Sequence, residues 1–116
     1  MKTIILDTNF LMYCTKYRID LFSEIDRICS FKYNLSVLDR TIEELEKLKP
    51  RELKLIKKYL EKINVTRSKE NYVDKELVRL SEEGCIIATQ DKNLKKHLKD
   101  ACIIIRKKRY LELKNA

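Results

Sequence analysis

Asp7 follows a short apolar run directly in I-I-L-D-T-N, and Asp91 follows another in I-I-A-T-Q-D. An acid at the carboxyl end of a buried strand stands where open parallel sheets present their ligands. Two such carboxylates invite a divalent cation, because acids packed within a few ångströms need hydrogen-bond donors or a metal to offset their repulsion. Helical segments offer further acids. Behind Asp39, the stripe Ile42, Leu45, Leu48 faces a core and leaves Glu43, Glu44 and Glu46 on other faces, and Asp74 falls in the first turn of a segment with the stripe Val73, Leu77, Leu80. Each acid also has a plain structural reading: Asp7 as an Asx-turn or N-cap, Asp91 as the N-cap of K-N-L-K-K-H-L, Asp74 as a charge favoured by the helix dipole, the glutamates as solvated. Taken singly, those readings suffice.

The elements that would position these acids follow from apolar spacing. Thr3 to Leu6, Asn34 to Leu38, Cys85 to Ala88 and Cys102 to Arg106 are apolar or β-branched runs of strand length, with a further short strand at Asn64 to Thr66. Between them lie helical periods: Leu21, Ile25, Ile28, Cys29 behind the N-cap Asp20; the Ile42 stripe behind Asp39; Leu53, Ile56, Leu60, Ile63 after Pro50; the Val73 stripe ending at Gly84; and Leu94 with Leu98 behind Asp91. This alternation predicts an α/β sandwich with a mainly parallel sheet, and polar groups gathering where the strand order reverses.

Composition narrows the rest. A chain of 116 residues has room for one core and is read as a single domain over 1–116, burying about two-thirds of its unfolded surface. Gly84 and Pro50 are the only glycine and proline, so neither glycine-based phosphate cradle can be built. No apolar run approaches a bilayer span and no signal-peptide core precedes Asp7, which predicts a soluble, unprocessed chain. Cys14, Cys29, Cys85 and Cys102 lack zinc-site spacing and read as buried, reduced thiols in a cytoplasmic setting. His97 has no nucleophile turn near it and reads as a solvated or packing histidine. Tyr13, Tyr17, Tyr33, Tyr59, Tyr72 and Tyr110 could stack on bases, but tyrosines ordinarily line a core edge with the hydroxyl in water, and none is assigned.

The net charge is +8, which favours polyanionic partners. Lys92, Lys95, Lys96, Lys99, Arg106, Lys107, Lys108 and Arg109 stand against one acid, Asp100, and form a candidate phosphate-binding face. The segment Arg106 to Tyr110 reads either as phosphate-contacting or as a frayed basic tail. A second basic stretch runs from Lys47 to Lys62, and is equally explained as a solvated helix face.

Jointly, the acidic motifs resemble those of PIN-domain ribonucleases: Asp7-Thr8-Asn9 with Leu11, Glu44-Leu45 inside I-E-E-L-E-K-L, Asp74 in V-D-K-E-L-V, and Thr89 to Leu94 in T-Q-D-K-N-L. The likeness covers nearly the whole chain and lies in order and spacing rather than in any one motif. The compact form with its terminal basic segment is similar to archaeal PIN proteins grouped with ribosomal-RNA-processing nucleases or with the toxins of toxin–antitoxin pairs. The resemblance implies a three-layer α/β/α sandwich and a metal-dependent endoribonuclease whose catalytic and metal-binding acids are Asp7, Glu44, Asp74 and Asp91, holding Mg²⁺ or Mn²⁺. Asn9 and Thr89 would position the centre, with Asn93 where some relatives carry another acid or amide. Lys75 departs from relatives with a second acid after the third motif and leaves one- and two-metal chemistry open; Glu43 replaces Glu44 if the second motif is shifted by one. RNA, an antitoxin protein or a pre-ribosome, and a second copy of the chain are the implied partners. The alternative class is a module on the same fold that binds RNA or protein without a productive metal centre.

Overall fold

Ile4 and Leu6 turn to one side of the first strand and Ile5 to the other, so this strand is apolar on both faces and belongs inside a sheet. The computed structural model describes residues 1–99 and 101–115; Asp100, the one acid of the C-terminal basic stretch, and Ala116 lie outside the described residues. Its elements are β1 (Lys2–Leu6), α1 (Thr8–Lys16), α2 (Leu21–Ile28), β2 (Tyr33–Leu38), α3 (Asp39–Leu48), α4 (Leu53–Leu60), β3 (Asn64–Thr66), α5 (Val73–Glu82), β4 (Ile86–Ala88), α6 (Lys92–Lys95), β5 (Cys102–Arg106) and β6 (Tyr110–Lys114). One sheet orders them β3-β2-β1-β4-β5-β6. The first five strands run parallel, and β6 pairs antiparallel with β5. Strand order reverses between β1 and β4, where Leu6 sits opposite Ala88.

Helices cover both faces, giving the expected three-layer α/β/α sandwich. On one side Phe10, Leu11 and Cys14 of α1 and Leu21 and Ile25 of α2 pack on Ile4, Leu6, Val37, Ile86 and Ile103, with Ile42 of α3 and Tyr59 and Leu60 of α4 closing the margin. On the other, Leu77 and Leu80 of α5 and Leu94 of α6 meet Ile5, Ile87 and Ile104. Each fully buried large side chain contributes about 1.5–3 kcal/mol. Gly84, with φ 99°, ends α5 as its position predicts. All four cysteines are free thiols, three buried and Cys85 half-buried, and burial pushes Cys14 up to about 12. Among the described residues no helix is long and apolar enough to cross a membrane.

Two expectations are corrected. The basic segment after β5 is no frayed tail: Arg106 closes β5, Lys107 and Lys108 form a tight turn with φ 51° and 55°, and β6 returns along the sheet edge. The last helix is one turn long, because His97 and Leu98 bond three residues back, to the Leu94 and Lys95 carbonyls, in the tighter pattern that ends helices; Leu98 still reaches the core. The helix expected to start near Asp39 does so: Asp39 is the first residue of α3, and its Oδ1 accepts from the backbone N–H of Arg40 and from both the backbone and hydroxyl of Ser68.

Candidate active site

The site begins at the strand-order reversal. The Asp7 N–H donates to the Ala88 carbonyl at 3.0 Å, carrying the β1–β4 ladder one residue past β1 and setting Asp7 beside Thr89. The Thr89 hydroxyl donates to Asp7 Oδ2 at 2.9 Å and accepts the Asp91 N–H at 3.1 Å. Asp7 Oδ1 accepts the Thr8 N–H at 2.9 Å and so caps α1. One fully buried threonine thus fixes the first acid and anchors the fourth motif, the positioning role the resemblance implies for it.

Helix docking delivers the other acids. The Thr8 hydroxyl donates to that of Thr41 on α3 at 2.9 Å, in the interior. Glu44, three residues on, shares that helix face and is carried toward Asp7. Asp74 arrives on the first turn of α5, whose start is held by the segment before it. Arg40 bonds the Asn71 carbonyl, Ser68 bonds Asp39, and the fully buried Glu76 accepts from the Lys69 N–H and from Arg79 at 2.6 Å. Burial alone would raise the Glu76 carboxyl, but the Arg79 guanidinium and the Lys69 and Glu70 N–H groups hold it below the ordinary range.

Burial likewise pushes the Asp7 carboxyl above its ordinary range; the bonds from Thr89 and Thr8 pull it back, and the charges of Glu44 and Asp74 push it up again. Glu44, rather than Glu43, is therefore the glutamate of the second motif that acts on Asp7. Among the described residues none of Asp7, Glu44, Asp74 and Asp91 is in an ion pair. Asp91 is exposed, and its Oδ1 caps α6 through the N–H groups of Asn93 and Leu94 at 2.9 and 3.1 Å. It joins Asp7 through Thr89. A cleft of about 490 Å³ brings Asp74, Asn93 and His97 together with Lys75 and Glu82. Asn9 is exposed on a separate cleft with Tyr13 and Lys16.

Hard carboxylate oxygens, unpaired by any cation and mutually repulsive, are the donor chemistry an oxygen-seeking dication needs. As they stand, no three His, Cys, Asp or Glu side chains among the described residues are grouped tightly enough to hold an ion. Glu44 and Asp74 act on Asp7 at electrostatic range, and Asp91 joins it through Thr89.

Of the proposed phosphate contacts, Lys92 and Lys96 are exposed and Lys95 half-buried on or beside α6. Lys107 and Lys108 form the hairpin tip, while Arg106 is paired with Glu112 at 2.9 Å. Sequence reasoning missed Glu76, Thr41 and Gln90. Glu76 had a signal, lying three residues after Val73 and four before Leu80 on the inward stripe, with Arg79 one turn on.

A parallel sheet gathering unpaired carboxylates at its switch point is the build of an acid-centred α/β domain. The chain belongs to the PIN-like domain family, whose sequence profile matches residues 4–109. It is 34% identical to Ribonuclease VapC4 of Methanocaldococcus jannaschii, across 97% of each chain. It is also 34% identical to the rRNA-processing protein fcf1 of Schizosaccharomyces pombe, over 83% of this chain and 53% of that one, so it spans about half the length of that relative. The solved structure of the PIN domain endonuclease Utp24 superposes with a TM-score of 0.83 at 24% identity, over 98% of this chain and 92% of that one, a likeness of fold.

Proposed function

We propose that this protein is an endoribonuclease that hydrolyses RNA phosphodiester bonds with a divalent cation, Mg²⁺ or Mn²⁺, held by Asp7, Glu44, Asp74 and Asp91. The observation that carries the reading is Asp7: a half-buried carboxylate at the switch point, pushed up first by burial and then by the charges of Glu44 and Asp74, and in no ion pair among the described residues. A hard dication there would stabilise charge on a phosphate oxygen and make water acidic enough to supply a nucleophile near neutral pH. The chain's own residues do the rest. Thr89 and the Thr8 N–H hold both Asp7 oxygens in one orientation, and Asp91 keeps its cap while remaining open to solvent. Asn93 offers an amide beside Asp74. Setting aside these four acids leaves +12 on the remainder of a chain of net charge +8, enough to hold an RNA backbone around an anionic pocket.

The relatives support RNA as substrate, since one is named a ribonuclease and another an rRNA-processing protein. In the first setting the partner is an antitoxin protein, in the second a pre-ribosome; co-purification from the native cell separates them, and sedimentation tests the homodimer. The free thiols suit a reducing, cytoplasmic compartment. The deciding experiment incubates single-stranded RNA with the protein in Mg²⁺ or Mn²⁺ and in EDTA, with Asp7→Asn alongside. Cleavage that needs the metal and fails in the variant supports the enzyme. RNA bound equally well in EDTA and never cut supports the non-catalytic binding module instead.

A further inference from the structure

Tyr13 of α1 and Tyr17, the C-cap residue of that helix, lie four residues apart, so both rings fall on one face. Their planes are 3° from parallel with centroids 5.9 Å apart, an offset stack that makes a stepped aromatic ledge. Tyr17 leans on the core, while Tyr13 stays 39% exposed. The ledge walls a cleft of about 450 Å³ completed by Gln90, Ile105, Lys107 and Lys108, within the size range of small-ligand pockets. No acid lines it. The ammonium groups of Lys108 and Lys16 stand 5.4 and 5.5 Å from the Tyr17 ring centroid. Lys107 and Lys108 reach the cleft from a left-handed turn that costs a lysine energy and that Asn or Gly would adopt freely.

Gln90 adds direction. Its side-chain oxygen accepts the Ile105 N–H at 2.7 Å, so the amide NH₂ is the end left to donate. Gln90 also sits between Thr89, which holds Asp7, and Asp91. Along α1 the six residues from Asp7 to Tyr13 span about 9 Å. The cleft therefore opens beside the acidic pocket rather than elsewhere on the surface.

Ring faces for stacking, cations for phosphates, a polar donor for a base edge and no competing acid form the combination that binds unpaired nucleotides. We infer that this cleft is a base-stacking subsite, which seats one unpaired base of the RNA on Tyr13 and Tyr17, ties its flanking phosphate to Lys107 or Lys108, and thereby places the neighbouring linkage at the carboxylates. In a duplex each base has its faces covered by stacking on its neighbours, so the subsite takes a base from an unpaired, unstacked segment. The inference rests on the ribonuclease reading.

The test measures binding of a fluorescently labelled single-stranded oligoribonucleotide in EDTA, where nothing is cut, to wild type, Tyr13→Leu, Tyr17→Leu, their combination, and Tyr17→Phe. Metal-dependent cleavage by the wild type is assayed in parallel. Expected is a loss of about ten- to a hundredfold in affinity for the double leucine variant and a smaller loss for each single one. Tyr17→Phe, which keeps the ring, stays within about twofold of wild type. Tyr13→Leu at an exposed position guards against a result that reports only misfolding. If wild type binds and cuts RNA while the leucine variants bind as well as it does, the subsite is overturned and the nuclease stands; a cleft made for a partner protein's side chain gives that outcome. A Phe variant as weak as the Leu variant also overturns stacking. If wild type neither binds nor cuts RNA, both readings fall.

Discussion

Asp7 carries two duties that conflict. As a cap it satisfies the Thr8 N–H, and as an acid it lies half-buried near Glu44 and Asp74, where its charge is disfavoured. Asparagine caps a helix as well as aspartate does, so Asp7→Asn keeps the first duty and relieves the second. The variant should therefore melt at a higher temperature than the wild type in EDTA while losing more than about a hundredfold in activity, beyond the 10–100-fold that outer-shell partners of a metal ligand typically cost. Scanning calorimetry with parallel cleavage assays checks both. Thr89→Val removes the hydroxyl that orients Asp7 and accepts from Asp91; kcat/KM should fall by about 10–100-fold, with recovery in Thr89→Ser. Much of this was legible residue by residue, because strand-end acids announce themselves. The cap and catalytic readings of Asp7 and Asp91 looked like rivals in the sequence, and the fold lets one side chain serve both. Thr41 was not legible as a site residue, since its role comes from what packs against it, and Glu76 was signalled only by its place on the inward stripe of α5.

At the scale of elements, β6 needs an explanation for its outer edge, which would otherwise expose backbone groups to pairing. Glu24 of α2 accepts the Leu111 N–H at 2.8 Å, and Arg27, itself bonded to Glu24, donates to the Leu111 carbonyl at 2.8 Å. The hydrogen bonds from Arg27 and from Leu111 hold the Glu24 carboxyl below its usual range. A depressed carboxylate contributes stability that is present above the unfolded pKa, about 4.3, and is lost as pH falls through the folded value. Protection of the Leu111 amide from hydrogen exchange should therefore persist near pH 5 to 7 and fade only on acidification below the ordinary glutamate range; in Glu24→Ala it should be weak throughout. The hairpin offers a converse case: Lys107→Asn with Lys108→Gly removes left-handed strain of about 1–2 kcal/mol per residue. It should stabilise the fold to urea while weakening RNA binding. The strand β5 was read from its apolar run residue for residue, and β3 likewise. Strand β6 was not, although Leu111 and Leu113 alternate, because R-K-K-R carries none of the glycine or asparagine that marks a two-residue turn.

For the molecule as a whole, the strand order puts the ends of β1 and β4 side by side, and everything proposed for the chemistry depends on it. Helices α3 and α5, on opposite faces of the sheet, each bring one acid to that shared end, across large separations in sequence. The sequence pattern was enough to foresee a parallel sheet and its reversal point. It could not show that the acids stop short of coordinating distance, which depends on side-chain placement rather than on element order. The account therefore requires that a dication draw these carboxylates together. Crystals grown or soaked in MnCl₂ and measured for anomalous scattering test this directly. The account predicts manganese density touching Asp7 and at least one of Glu44, Asp74 and Asp91. Full occupancy of manganese elsewhere on the surface, with Asp7 still bonded only to Thr8 and Thr89, would contradict it.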